Sequence, residues 1–243
     1  MKHIPSLLCL LWVLTPATAQ IRFERFFTGQ TLRIDYFHAG DAKTEMITLD
    51  KMYKQGLWAG NPDKCIQPFE LGQYKVNVYD IASNTLIYSK GYSTIFAEYQ
   101  TIGPALKGIR RTFHETILIP CPVKKFMLVI EKRDRYNLLS AIFNQIIDPG
   151  DYHISREAYA GSDNMIIPVT NNGDPQKKVD LVILAEGYQQ HELEKFKADL
   201  HYYSRLFFSI EPYKSREGLF NITGIFSASV ESGTDEPRQN MYK

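Results

Sequence analysis

Between residues 21 and 147 apolar and polar positions alternate in short runs, the period-two spacing of strands that bury one face. Thr31 to His38 sets Leu32, Ile34 and Tyr36 against Arg33 and Asp35 and stops at Gly40-Asp41. Tyr74 to Tyr79 places Tyr74, Val76 and Val78 on one face; Ser83-Asn84 then offers a turn before Leu86 to Ser89, which predicts a hairpin. Ile109 to Ile119 puts Phe113, Glu115, Ile117 and Ile119 together and is expected to end at Pro120. With Phe126 to Ile130 and Leu138 to Ile147 the pattern amounts to about seven short strands, the density of an antiparallel sandwich.

The character changes at Asp148. Pro149-Gly150, Gly161-Ser162, Asn171-Asn172-Gly173 and Asp174-Pro175 crowd the stretch to Lys178, which reads as a segment crossing between domains. Val179 to Ala185 is then apolar except for Asp180, as in a strand buried on both faces, and Glu186-Gly187 ends it. From Gln189 to Ser209 the residues Leu193, Phe196, Leu200, Tyr203 and Phe207 recur at helical spacing, with Glu211-Pro212 as the stop. Leu219 to Val230 reads as another strand. Strand, helix and strand in that order make a βαβ unit, which needs covers for its second face and its edges. The chain is therefore expected to enter a second domain without completing it. The expected fold class is α+β in two parts: residues 1–19 a signal peptide, 20–147 a β-sandwich, 148–178 the crossing segment, and 179–243 a partial α/β domain.

The N-terminus adds a destination. Met1-Lys2-His3, an apolar core from Leu7 to Leu14, and Ala17-Thr18-Ala19 before Gln20 have the order of a cleavable export signal, with Cys9 as filler inside it. A spanning helix needs about 20 consecutive apolar residues, and Pro16 interrupts this run first. The expectation is a secreted or periplasmic product with no membrane attachment after cleavage near Ala19. Twenty-eight basic residues against 27 acidic ones give a net charge of +1, too little for the long-range field that nucleic-acid binding uses. The 44% hydrophobic and 13% aromatic content is ample for a core.

Chemistry is sparse. A zinc-peptidase HExxH motif needs two imidazoles one helical turn apart with a glutamate to activate water. His114-Glu115 is followed by Leu118 where the second histidine belongs, and His191-Glu192 by Lys195. His191 and His201 sit ten residues apart on the predicted helix, about 15 Å along its axis, too far to share a metal. Asp180, Glu186, Glu231 and Asp235 fall at strand ends, where α/β domains collect function, but turn or capping roles are the more ordinary reading for each. No GxSxG, GxGxxG or phosphate-loop motif is present. Cys65 and Cys121 remain after export. An oxidising compartment permits a disulfide between them, and buried free thiols are the other open reading.

The run Val179 to Tyr188, the helix with Glu192 and Phe196, Phe220-Asn221-Ile222, and above all Ser229-Val230-Glu231-Ser232-Gly233-Thr234-Asp235-Glu236-Pro237 resemble the opening of the catalytic domain in the secreted IgA-peptidase family of zinc metallopeptidases, class M sixty-four. Arg111 to His114, Ile119 to Pro122 and Ile130 to Asp134 are similar to that family's N-terminal sandwich. The resemblance singles out Glu186, Gly187, Tyr188, Glu231, Ser232, Gly233, Thr234 and Asp235 as family-motif residues. It implies a protein substrate and, in the full-length family, a zinc ion. These 243 residues hold neither HExxH nor another catalytic set, so no cofactor and no activity are expected of them alone. The competing expectation is an exported adhesion or glycan-binding sandwich that offers Trp58 and exposed tyrosines for stacking.

Overall fold

The computed structural model describes residues 21–69, 71–156 and 164–240; the expected signal segment 1–19 lies outside them. Two antiparallel sheets form the first part. One has strand order β2-β1-β5, from β1 (Phe27–Gly40), β2 (Glu45–Leu57) and β5 (Arg111–Pro122). The other has order β4-β3-β6-β7, from β3 (Tyr74–Asp80), β4 (Thr85–Tyr92), β6 (Phe126–Arg133) and β7 (Leu139–Ile147). The alternation read from the sequence becomes a shared core: Leu32, Ile34 and Tyr36 of β1 and Ile117 and Ile119 of β5 meet Tyr74, Val76 and Val78 of β3 and Leu128 and Ile130 of β6. The β3–β4 hairpin turns through Asn84, which takes a left-handed conformation (φ 51°) that asparagine tolerates.

Several boundaries differ from expectation for physical reasons. β5 runs on through Pro120, because it is an edge strand and an edge residue need not donate to a second neighbour. β2 has no expected counterpart, since only Ile47 of its thirteen residues is buried and an edge strand shows little alternation. The stretch expected to cross between domains does part of this in extended form: Ser155 pairs with β2, its N–H donating to Met52 O and its carbonyl accepting from Lys54 N. The same stretch carries β8 (Met165–Thr170), a member of the third sheet.

That sheet has order β8-β10-β9, with β9 (Val179–Leu184) parallel and β8 antiparallel to β10 (Phe220–Phe226). The 15-residue helix α1 (Leu193–Phe207) connects β9 to β10, so the βαβ unit is present. The helix seats Phe196 and Leu200 against Phe226, Ile167 and Ile183. Its buried stripe passes through Ser204 in place of Tyr203, which is exposed; Ser204 Oγ is satisfied by Leu200 O at 2.6 Å. Contact is close enough that a Cβ on Gly224 would stand 2.4 Å from Leu200 Cδ2. β9 is not buried on both faces as expected: Val179, Val182 and Leu184 are exposed, because α1 covers one face and β9 is an edge.

Charge is buried between the sandwich sheets. The imidazole of His38 (β1) stacks on Phe96 with ring centroids 3.9 Å apart. Its Nδ1 lies 3.1 Å from Glu115 of β5 and its Nε2 3.0 Å from Glu45 of β2. Glu45 also accepts from Tyr74 OH at 2.9 Å and is paired with Lys132 of β6, whose ammonium reaches Gln100 as well. Glu115 further accepts from Phe96 N–H at 3.1 Å. Burial pulls the His38 pKa down, but the hydrogen bonds to Glu115 and Glu45 outweigh it and hold the group above the ordinary histidine value. Burial likewise raises both carboxylates, and their bonds, to His38 first, win and hold them low. Tyr36 and Tyr74, raised by burial, stay protonated through neutral pH.

The raised histidine contributes stability that is complete below its unfolded value of about 6.5 and is lost as pH rises through its folded value; the depressed glutamates contribute above about 4.5 and lose it in acid. The melting temperature is therefore expected to peak between those limits and to fall on the alkaline side. In His38→Gln the alkaline fall should flatten, with an overall loss of about 3 kcal/mol from leaving two carboxylates facing each other, as calorimetry across pH 4 to 9 would measure.

Candidate functional site

Parallel neighbours deliver their C-terminal ends to the same rim, and in open α/β sheets that rim is where ligands bind. β9 and β10 run in register from Phe220 opposite Val179 to Ile225 opposite Leu184, and Ala185 N–H extends the ladder to Ile225 O at 2.8 Å. Beyond it two loops leave side by side, and the polar groups that no strand satisfies pair across them. Ser229 N–H donates to Tyr188 O at 2.7 Å, Gly187 N–H to Ser229 Oγ at 2.9 Å, and Gly233 N–H to Gly187 O at 2.8 Å. Gln189 Nε2 donates to Val230 O at 2.8 Å.

Gly187 has φ +73°, and a Cβ there would lie 2.3 Å from Gly233 O. Backbone conformation and space both require glycine at this position. Tyr188 fixes the first loop to the helix: its ring stands edge-on to Phe196 at 5.3 Å and its hydroxyl donates to Asp199 at 2.9 Å. Burial, then the Asp199 carboxylate, raise the Tyr188 pKa, so it serves as a donor. Glu192 ties three pieces together. One carboxylate oxygen accepts from Gln189 N–H at 2.8 Å, completing a capping box at the start of the helical segment, and the other accepts from Ser232 Oγ at 3.0 Å. The backbone bond from Gln189, first, and that from Ser232 hold Glu192 ionised to lower pH than usual.

The loops enclose an open cleft of about 510 Å³ lined by Glu186, Glu231, Thr234 and Asp235 and by backbone at Gly187 and Gly233. All eight family-motif residues thus meet at one place, in two roles. Gly187, Tyr188, Ser232 and Gly233 build the loop pair; Glu186, Glu231, Thr234 and Asp235 face the space it makes. Gln189 and Asp199 complete the frame without having been singled out, although the Gln189-x-x-Glu192 spacing is itself a capping-box signal.

Three carboxylates beside a cleft suit a cationic group, but they do not make a zinc centre. Among the described residues no group of three or more His, Cys, Asp and Glu side chains is placed to hold a metal ion. His191 and His201 are both exposed, and His114 pairs with Asp50 at 3.1 Å on the sandwich surface. The described residues therefore do not fit catalytic zinc, which takes three protein ligands and a water.

Cys65 and Cys121 are free buried thiols. Burial pushes the Cys65 thiol up to about 11 and raises Cys121 as well, so neither is a ready nucleophile. Trp58 is only 7% exposed, stacked on Phe23 at 5.3 Å and edge-on to Tyr88 at 6.0 Å. It serves the core and offers no stacking platform for a sugar.

Comparison with known families yields two matches. The Peptidase M64 N-terminus model covers residues 22–144, and the IgA Peptidase M64 model covers residues 167–243. The first spans the sandwich and the second begins in β8, so that it includes the whole paired-loop cleft. No curated protein matches the chain.

Gly187→Ala is expected to break the Gly187–Gly233 bond and cost about 1–3 kcal/mol of local strain. Hydrogen exchange should then accelerate at 187–189 and 229–233 while sandwich amides keep their protection; unchanged exchange in both loops would show the close approach to be unimportant.

Proposed function

Because the chain belongs to the M64 peptidase family, we propose that it is exported and supplies the N-terminal sandwich and the opening βαβ unit of a zinc metallopeptidase, without hydrolysing peptide bonds by itself. The observation that carries this reading is the cleft at the β9–β10 rim. The residues of the Ser229 to Pro237 motif and of Glu186-Gly187-Tyr188 converge there, inside the segment that the IgA Peptidase M64 model matches.

Its chemistry is that of a substrate wall. Carboxylates and backbone groups at an open rim hold and orient a polypeptide; hydrolysis also needs an activated water, and among the described residues no donor set is placed to generate one. The uncovered face of the third sheet supports the same division of labour. Val182, Leu184 and Ile166 lie exposed on it, a surface suited to packing against further catalytic-domain structure. Protein is accordingly the proposed substrate class, and zinc belongs to the complete enzyme.

Export rests on the order of charge, apolar core and small residues in 1–19. No helix among the described residues is long and apolar enough to cross a membrane.

Two measurements test the proposal. Mass spectrometry of the product recovered from the medium or periplasm should find Gln20 at its N-terminus; retention of Met1 would remove the export claim. The purified product, incubated with unfolded casein and zinc, should release no peptides beyond a heat-inactivated control. Proteolysis that a zinc chelator abolishes would overturn the inactive assignment.

A further inference from the structure

A second cleft, of about 630 Å³, opens on the sandwich far along the chain from the paired loops. It is bounded by the segment 57–69, by Tyr88, Ser89 and Lys90 of β4, and by Leu118 of β5. Its size falls inside the range of about 300–1,000 Å³ typical of ligand sites.

Two features define what it takes. Leu57, Phe69 and Leu118 are large apolar side chains that line it yet stay exposed, Phe69 at 69%; burying them is favourable for a partner with apolar surface. The charged side chains lining it, among the described residues, are Lys64 and Lys90, both exposed and neither in an ion pair. A cleft with one sign of charge selects the other.

The backbone of β4 at this point is not free. Ser89 N–H donates to Cys65 O at 2.9 Å and Ser89 O accepts from Gln67 N–H at 3.0 Å, so the segment 65–67 already occupies the strand edge. A partner must therefore be read through side chains and not by strand addition. The groups offered are apolar walls and two ammonium groups. They fit a polypeptide segment in which a large apolar side chain is flanked by carboxylates. A glycan fits less well, because Trp58 beneath the cleft is packed away.

We propose that this cleft is an exosite that holds a protein substrate by an acidic segment anchored on one large apolar side chain. The word exosite rests on the peptidase reading above; the binding itself does not, so the test measures binding and not cleavage.

The probe is a fluorescein-labelled peptide, Gly-Asp-Glu-Phe-Glu-Asp-Gly, titrated with the mature full chain and followed by fluorescence polarisation. Saturable binding should weaken about tenfold when Lys replaces every acid of the peptide, and by a similar factor when Ala replaces its Phe. The double variant Lys64→Glu/Lys90→Glu should lose binding of the acidic peptide by at least that factor. Leu118→Ser, at an exposed position, should lose the preference for Phe over Ala. Unchanged melting temperatures certify that the variants fold. Equal binding of acidic and basic peptides, no binding of either, or indifference to the lysine reversal would each overturn the proposal. Saturable binding of a hyaluronan hexasaccharide in place of the peptide would overturn it in favour of a glycan site. Peptide binding without any proteolysis in the complete enzyme would leave the site standing and remove the peptidase reading alone.

Discussion

The sandwich is organised around a charge it has to bury. His38 sits between Glu45 and Glu115 with side-chain exposure of 1%, 12% and 9%, and Lys132 closes the group from the opposite sheet. Two cations balance two anions when the imidazole is protonated. Removing any one leaves a net charge in a poorly solvated interior, which costs more than the group's own bonds are worth. Each member comes from a different strand, β1, β2, β5 and β6, and Tyr74 adds β3. The sheets are therefore held in one mutual arrangement by geometry that hydrophobic packing alone does not specify. The same constraint positions the short helical turn at Ile95–Tyr99, whose Phe96 gives its ring to His38 and its N–H to Glu115.

Much of this was legible in the sequence, and what was not had a physical reason. Inner faces of β1, β3 and β5 could be read because a strand buried on one side repeats every second residue. Glu115 fell on the apolar face with Ile117 and Ile119, an anomaly already visible in the pattern. Its partner His38 lies 77 residues away along the chain and meets it only through strand pairing, and Glu45 joins the group through the other nitrogen of His38, so the cluster was not recoverable from the pattern. Asp35, read as outward-facing, is buried beneath Arg33 and Thr116, whose hydrogen bonds at 2.8 and 2.7 Å satisfy it. Edge strand β2 escaped notice because a strand half in water has no clear alternation.

The candidate site divides in the same way. Glu186-Gly187 marked the end of a strand in the pattern, and Tyr188 and Gly233 were singled out by the family resemblance. That the two turns touch depends on β9 and β10 being adjacent and parallel in a given register, which is long-range information. A one-residue slip would reverse the faces of the strand and separate Gly187 from Gly233.

The two parts of the chain close their interiors to different degrees. In the sandwich, both sheets turn their apolar faces to each other, and His38, Glu45, Glu115, Lys132 and Gln100 are joined in one network between them. In the third sheet a single helix covers a single face, with Phe196, Leu200, Phe208, Ile222 and Phe226 buried, while Leu184 on the other face is 66% exposed. Five buried side chains give on the order of 10 kcal/mol, little against the backbone entropy of ordering a three-stranded sheet and its helix. The paired loops at the rim help by satisfying their own backbone across a short gap, and their rigidity does not require the apolar face behind them to be covered. The rim is thus ordered by hydrogen bonds within the loop pair and not by burial of the sheet face behind it.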